Sequence, residues 1–231
     1  MEMNDIRWFH TIDLGGGRYT PGFDDTLSKI PRLQLPDSLD GKSCLDIGSW
    51  DGAYSFECER RGATRVLATD WYCWSGPGWG TKAGFEFAHR ALRSRVESTE
   101  IDVLDISPDR VGTFDVVLFL GVLYHMRHPL LALERVASVC KGLLVLETET
   151  AHMWTSRPAL RYFLDDDDWC APNTAWLRRA LHDVGFERVE TVWSVPAPLR
   201  LGRSMKRWWR RPGARLWDEL GRGRVVVHAT R

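Results

Sequence analysis

The chain lacks a long apolar run. A membrane-crossing helix needs about 20 consecutive apolar residues, and charged residues or glycine interrupt every stretch well short of that. Cysteine is scarce: five in 231 residues, at positions 44, 58, 73, 140 and 170, with no C-x-x-C pair. An odd count without that spacing suggests neither a disulfide framework nor a zinc knuckle, and a reducing cytoplasm is the expected setting. The start, Met1-Glu2-Met3-Asn4-Asp5, has neither the basic nor the apolar segment of a secretory signal. Internal repeats and low-complexity tracts are missing. So is net charge, with 31 Lys and Arg against 31 Asp and Glu. That zero hides an asymmetry. Residues 199–231 carry ten Lys and Arg against Asp218 and Glu219, so a segment of +8 sits on a body of −8.

What is present is ordinary globular composition, 44% apolar and 27% charged, with a high count of 12 tryptophans. The first forty residues are broken by Gly15-Gly16-Gly17, Thr20-Pro21-Gly22, Ile30-Pro31 and Leu35-Pro36. They read as a cap or lid (residues 1–40) ahead of one domain (residues 41–231). Within that domain strands and helices alternate. Strands are expected at 43–47, 65–69, 99–103, 114–119, 142–147, 187–193 and 224–229. Helices are expected at 54–61, 83–96, 129–140 and 174–184. The alternation predicts an α/β, doubly wound, mostly parallel seven-stranded sheet, with an antiparallel strand at its edge. Ligands of such folds bind beyond the carboxyl ends of the strands.

The strongest chemical signal is the run Cys44-Leu-Asp-Ile-Gly-Ser-Trp-Asp-Gly-Ala-Tyr-Ser-Phe56. A strand meets a glycine-bearing turn and then a helix start. Gly48 and Gly52 allow a tight turn and close approach of a ligand. The spacing is Gly-x-x-x-Gly, not the Gly-x-Gly-x-x-Gly of dinucleotide sites. Asp46, inside the strand end, suits an ammonium group better than a pyrophosphate. Asp70 closes the next strand, where a carboxylate can take both hydroxyls of a ribose.

These residues resemble the class I S-adenosylmethionine (SAM) dependent methyltransferases over roughly residues 41–186. Leu45-Asp-Ile-Gly-Ser-Trp-Asp-Gly52 matches the first motif, Asp70 the second acidic position, and Phe114-Asp-Val-Val-Leu-Phe-Leu-Gly121 the strand-four motif. The resemblance implies that Asp46, Gly48, Ser49 and Gly52 line the methionine and sugar. It also implies that Asp70 holds the ribose, that Asp102 and Val103 contact adenine, and that Leu120 and Gly121 complete the wall. Its implied cofactor is SAM, with S-adenosylhomocysteine (SAH) as product. A narrower resemblance is to the tRNA wobble-uridine (mo5U34) methyltransferase-like group. It is carried by Trp8-Phe-His-Thr-Ile-Asp13, Thr20-Pro-Gly22 and Gly121-Val-Leu-Tyr-His125. The Lys-Gly element that would give carboxy-SAM a cation is not found, so ordinary SAM is expected.

On the acceptor side, methyl transfer from a sulfonium aligns nucleophile, methyl and sulfur and sometimes removes a proton. His125 follows the fourth strand, and the imidazole is the side chain suited to proton transfer near neutral pH, so it is the first candidate base. His10 is the second, through the narrower resemblance. Trp8, Tyr124 and Arg157 are candidate acceptor contacts, and Trp71 is placed to stack on adenine. Asp165 to Asp168 read as a solvated run before a magnesium site, and no metal is expected. The segment 198–224 interleaves arginine with Trp208, Trp209 and Trp217. It reads as a basic insertion, open to use as a lid, an RNA contact or a surface helix. The expected acceptor is a small molecule, a sugar or secondary metabolite. A nucleic acid is the less favoured partner, and a non-catalytic SAM-binding protein the third reading.

Overall fold

The computed structural model describes residues 2–163, 168–196, 198, 199, 202, 205, 209 and 221–231. Strands run at Ser43–Ile47 (β1), Arg65–Asp70 (β2), Glu97–Glu100 (β3), Phe114–Leu120 (β4), Cys140–Thr150 (β5), Leu160–Tyr162 (β6), Cys170–Pro172 (β7), Arg188–Ser194 (β8) and Gly223–Thr230 (β9). Helices run at Ala53–Arg60 (α1), Ala83–Leu92 (α2), Pro108–Val111 (α3), Pro129–Val139 (α4) and Thr174–Asp183 (α5).

Seven strands form one sheet in the order β3-β2-β1-β4-β5-β9-β8. The order reverses between β1 and β4, the switch point where such sheets bind ligands. Pairing is parallel from β3 through β5. β9 runs against both neighbours, between β5 and the edge strand β8. This is the doubly wound α/β sheet expected, with its antiparallel strand in the last pair. The central strand β4 is apolar throughout its middle because both of its faces are covered.

One face of the sheet buries Leu133 and Val136 of α4 and Leu177 and Leu181 of α5. The other buries Phe56 of α1 and Phe85 of α2, together with Ile6, Trp8, Ile12, Leu14, Leu33, Leu35 and Leu39 from the first forty residues. That segment is therefore part of the core. Its far end is tied to the last strands: His228 Nε2 lies 2.8 Å from the Leu33 carbonyl, and the Gln34 side chain donates to the Val192 carbonyl at 2.7 Å.

Several element boundaries differ from expectation. α2 stops at Leu92 because Arg93 takes a left-handed conformation and closes the helix, so Val96 lies outside it. β3 is earlier and shorter, at Glu97–Glu100, and Val103 falls in a single 3-10 turn in which the Leu104 amide donates to the Asp102 side chain. β5 extends three residues past Glu147 because β9 pairs with it up to Thr150↔Gly223. The β6–β7 hairpin was not anticipated. Its strands have three residues each, too short for an alternation to register.

Candidate active site

The carboxyl ends of β1, β2, β4 and β5 converge on the loop 48–52. Gly48 sits at φ +78°, and a Cβ there would lie 2.4 Å from Cγ2 of Val122. The loop is pinned to β2 by amides of Gly48 and Ser49 donating to the Thr69 carbonyl, at 2.8 and 3.0 Å. Asp46 is 2% exposed, and its Oδ2 accepts from Ser55 Oγ of α1 at 2.6 Å. Burial pushes its pKa up to about 7, although the Ser55 bond works against that. Asp70 accepts the Trp50 amide at Oδ2 (3.0 Å) and the Cys73 amide at Oδ1 (2.9 Å). Burial raises its pKa as well. Each carboxylate oxygen keeps a further lone pair.

Asp51, which sequence reasoning treated only as motif filler, organises the cap. Its buried Oδ2 accepts the amides of Phe9 (2.8 Å) and His10 (3.0 Å), and burial lifts its pKa to about 6. Phe9 stacks on Trp50 with ring centroids 4.0 Å apart. Trp79 meets Trp50 edge-on, receives the Arg7 guanidinium over its ring at 3.7 Å, and donates to the Arg7 carbonyl at 3.0 Å. The cap is thus fastened to the glycine loop by a charged acceptor and an aromatic stack.

The predicted residues separate into groups. Asp46, Gly48, Ser49, Gly52 and Asp70 converge on the loop. Leu120 and Gly121 end β4 beside it, and the Gly121 amide donates to the Glu147 carbonyl at 3.0 Å. Asp102 and Val103 follow β3 at the neighbouring strand end, and Trp71 stands exposed just past Asp70. His10 is buried with its Nδ1 3.7 Å from Asp51 Oδ2, and desolvation lowers its pKa to about 4. Trp8 does not face the strand ends. It is 1% exposed, packs edge-on against Phe87 of α2, and donates to the Met3 carbonyl. Its indole fills an apolar slot on the face of α2. Arg157 is exposed on the turn before β6, its carbonyl held by the Asn173 side chain at 2.8 Å, and among the described residues its side chain makes no hydrogen bond or ion pair to the strand ends. Asp165, Asp166 and Asp167 lie outside the described residues. So does most of 198–224, of which Leu199, Met205 and Trp209 are exposed.

Tyr124 and His125 form a turn after β4, and the structure surrounds them with charges that the sequence reading missed. Arg224 of β9 donates to Tyr124 Oη at 3.0 Å and pairs with Glu147 of β5 at 3.1 Å. Arg222 pairs with Glu149 at 3.1 Å and reaches Asp168 at 3.9 Å. Asp168 Oδ1 stands 3.7 Å from His125 Nδ1. Burial pushes Tyr124 up to about 12 and raises Glu147 and Asp168. The one signal that pointed here is the alternation Glu147-Thr-Glu149, two acids on one face of an otherwise apolar strand. A separate cleft of about 370 Å³ opens between α4, α5 and Arg231. It lies away from these strand ends, and none of the site residues lines it.

The residues at the loop fit an adenosyl cofactor on the structure's own terms. Ser49 Oγ, Trp50 Nε1 and His10 Nδ1 are buried without a hydrogen-bond partner among the described residues. Such orphans call for a ligand or water partner. Gly48 and Gly52 let the loop pack closely against Val122, Phe56 and Phe85, and the Asp70 carboxylate lies beside it.

Comparison with known proteins agrees. Residues 23–191 match the family model described as a methyltransferase domain. The chain is 32% identical over 160 residues to a tRNA U34 carboxymethyltransferase of Pseudomonas putida, covering 67% of this chain and 48% of that protein. A protein of the same description from Dichelobacter nodosus is 33% identical, covering 67% and 51%. The chain thus spans about half the length of these curated relatives. Among solved structures, the N-terminal domain of EvdMO1, crystallised in the presence of SAH and D-fucose, superposes with a TM-score of 0.68 at 19% identity, covering 96% of this chain and 91% of that one. A Burkholderia thailandensis 1,6-didemethyltoxoflavin-N1-methyltransferase gives a TM-score of 0.56 at 17% identity, covering 90% and 77%. The fold and the loop define a class I SAM-dependent methyltransferase. The chain belongs to the methyltransferase domain family, near the tRNA U34 carboxymethyltransferase group. Among the described residues, no helix is long and apolar enough to cross a membrane.

Proposed function

We propose that this enzyme transfers the methyl group of SAM to an oxygen or nitrogen of a small hydroxylated molecule. The observation that carries this reading is the charge of the acceptor wall. Glu147, Glu149 and Asp168 outnumber Arg222 and Arg224, and both guanidiniums already face carboxylates. Among the described residues, a phosphodiester brought to this wall would meet these three carboxylates with Arg222 and Arg224 already paired to them, whereas a neutral polyol or an amine would not be repelled. The sugar in the EvdMO1 crystals is in keeping with that class of acceptor.

In this reading Asp46, Gly48, Ser49 and Gly52 hold the methionine and sugar, and Asp70 takes the ribose hydroxyls. Trp71, Asp102 and Val103 border adenine, and Leu120 and Gly121 form the floor under the sulfur. SAM supplies an electrophilic methyl on a sulfonium, which leaves as SAH. His125 takes a proton from the acceptor, and Tyr124 bounds it. His10, neutral at physiological pH because burial holds its pKa near 4, lines the pocket as a hydrogen-bond acceptor.

A second reading, modification of a tRNA uridine, is favoured by the relatives' descriptions and by the +8 segment at 199–231. Methyl-labelled SAM, incubated with protein and a cell extract split into small-molecule, RNA and protein fractions, separates the two. Label in the small-molecule fraction supports the proposal, and label in RNA overturns it. An RNA activity would also weaken steeply with salt, through counterion release.

A further inference from the structure

The turn carrying His125 is fixed from one side by the chain that leads into β7. The Trp169 amide donates to the Tyr124 carbonyl at 2.7 Å, and Cys170 Sγ approaches the Leu123 carbonyl at 3.4 Å. These bonds bind residues 168–170 to residues 123–125 although more than forty positions separate them. They bring Asp168 Oδ1 to 3.7 Å from His125 Nδ1. That is ion-pair range, and hydrogen bonds of this kind commonly stand long before a substrate is bound. Asp168 is itself held from behind. Arg222 reaches its other oxygen at 3.9 Å while pairing with Glu149 at 3.1 Å. A carboxylate thus faces the imidazole, and a cation anchored on β5 stops that carboxylate from turning away.

We propose that Asp168 is a positioning residue for His125, and that the pair marks the acceptor atom as a hydroxyl oxygen. This rests on the reading of His125 as the base. An Asp beside Nδ1 keeps the proton on that nitrogen and leaves Nε2 as the basic one. His125 Nε2 then takes the hydroxyl proton while the oxygen's electron pair bonds to the methyl carbon. The pair of the broken C–S bond returns to sulfur. The imidazolium is stabilised by Asp168 and gives its proton to water, since the His125 side chain is 43% exposed. An amine acceptor needs no such arrangement, because its neutral form already carries a nucleophilic pair.

The charged and titratable groups around this dyad come from four elements. Tyr124 lies beside the imidazole, with ring centroids 4.1 Å apart. Glu147 and Glu149 face it from β5, and Arg222 and Arg224 from the start of β9 and the residue before it. Arg127 is drawn onto the ring of Trp169 at 4.0 Å.

The test is imidazole nitrogen NMR on the SAH-bound full chain, with Asp168→Asn and Asp168→Glu compared against the unaltered protein. The unaltered protein is expected to show His125 protonated on Nδ1. Asp168→Asn is expected to mix the tautomers and weaken the proton affinity of the ring about tenfold, one pH unit. Asp168→Glu is expected to restore most of both. Unchanged SAH affinity shows that the variants fold. An unchanged tautomer in Asp168→Asn overturns the proposal. Methyl incorporation from labelled SAM into the small-molecule fraction supplies the second readout. The expected result is a rate loss of 10- to 100-fold in Asp168→Asn, with the acid limb of the pH profile moved down by about one unit. A tautomer change that leaves rate and pH profile untouched also overturns it, since the pairing then serves structure alone. Should the unaltered protein label only RNA, or nothing, the small-molecule reading falls, and the NMR result still decides the pairing.

Discussion

Replacing Gly48 by alanine separates two costs that meet at one atom. The first is conformational: φ is +78°, and a non-glycine residue held in the left-handed region costs about 1–2 kcal/mol. The second is steric. The new Cβ would lie 2.4 Å from Cγ2 of Val122, a β-branched side chain with little rotamer freedom to retreat. Overpacking of this kind costs about 1–3 kcal/mol. Gly48→Ala is therefore expected to lose about 2–5 kcal/mol of stability and to weaken SAH binding, because the loop must shift to make room. Val122→Ala removes the clash and not the strain. In the double variant the loss should be smaller than the sum of the single losses by about 1–3 kcal/mol. Chemical denaturation of the four proteins gives the cycle, and calorimetry with SAH gives the affinities. Additivity within about 0.5 kcal/mol would show that the loop and the turn after β4 do not touch as described, and the steric argument would fail.

Asp51→Ala leaves the partly buried amide of Phe9 and the buried amide of His10 without an acceptor, at about 1–3 kcal/mol each, so denaturation should show a loss of about 2–6 kcal/mol. A loss under about 0.5 kcal/mol would mean that Asp51 does not hold the cap. Asp70→Ala should weaken SAH binding about 100-fold or more, since hydrogen bonds to a charged group contribute about 1.5–3 kcal/mol each; unchanged affinity by calorimetry removes Asp70 from the site. Asp46 has a folded pKa raised from 3.8 to about 7, so its contribution to stability is greatest below pH 4 and is lost as pH rises through 7. Asp46→Asn should flatten the decline of cofactor-free stability between pH 4 and pH 8, and an unaltered slope refutes the assignment.

The cofactor loop was legible because its parts are local. Asp46, Gly48 and Gly52 lie within seven residues, and the apolar run of β4 announces a central strand by itself. The acceptor wall was not. Glu149 stands opposite Arg224 only through the antiparallel register of β5 with β9, across 75 positions. Asp168 reaches His125 only because Trp169 is bonded to Tyr124. Such meetings leave no period in the sequence to find. Trp8 shows how position alone leaves packing open: an aromatic near a motif suggested a ligand contact, and the structure buries its indole against Phe87 of α2. Asp51 was in plain view, but its partners lie more than forty residues earlier and use backbone amides, which every residue has.

The bond between His228 and the Leu33 carbonyl has a kinetic consequence. It spans 195 positions, and β9 must enter between β5 and β8 before it can form. Pairings this distant make folding slow, because loop-closure entropy must be met before contacts reward it. A ribosome adding about 5–20 residues per second exposes the cap roughly ten seconds or more ahead of its last partners. Through that interval Leu33 and Leu35 have no final home, and Arg222 and Arg224 are absent from the wall that surrounds His125. The cofactor loop can close early, whereas the acceptor wall is assembled last.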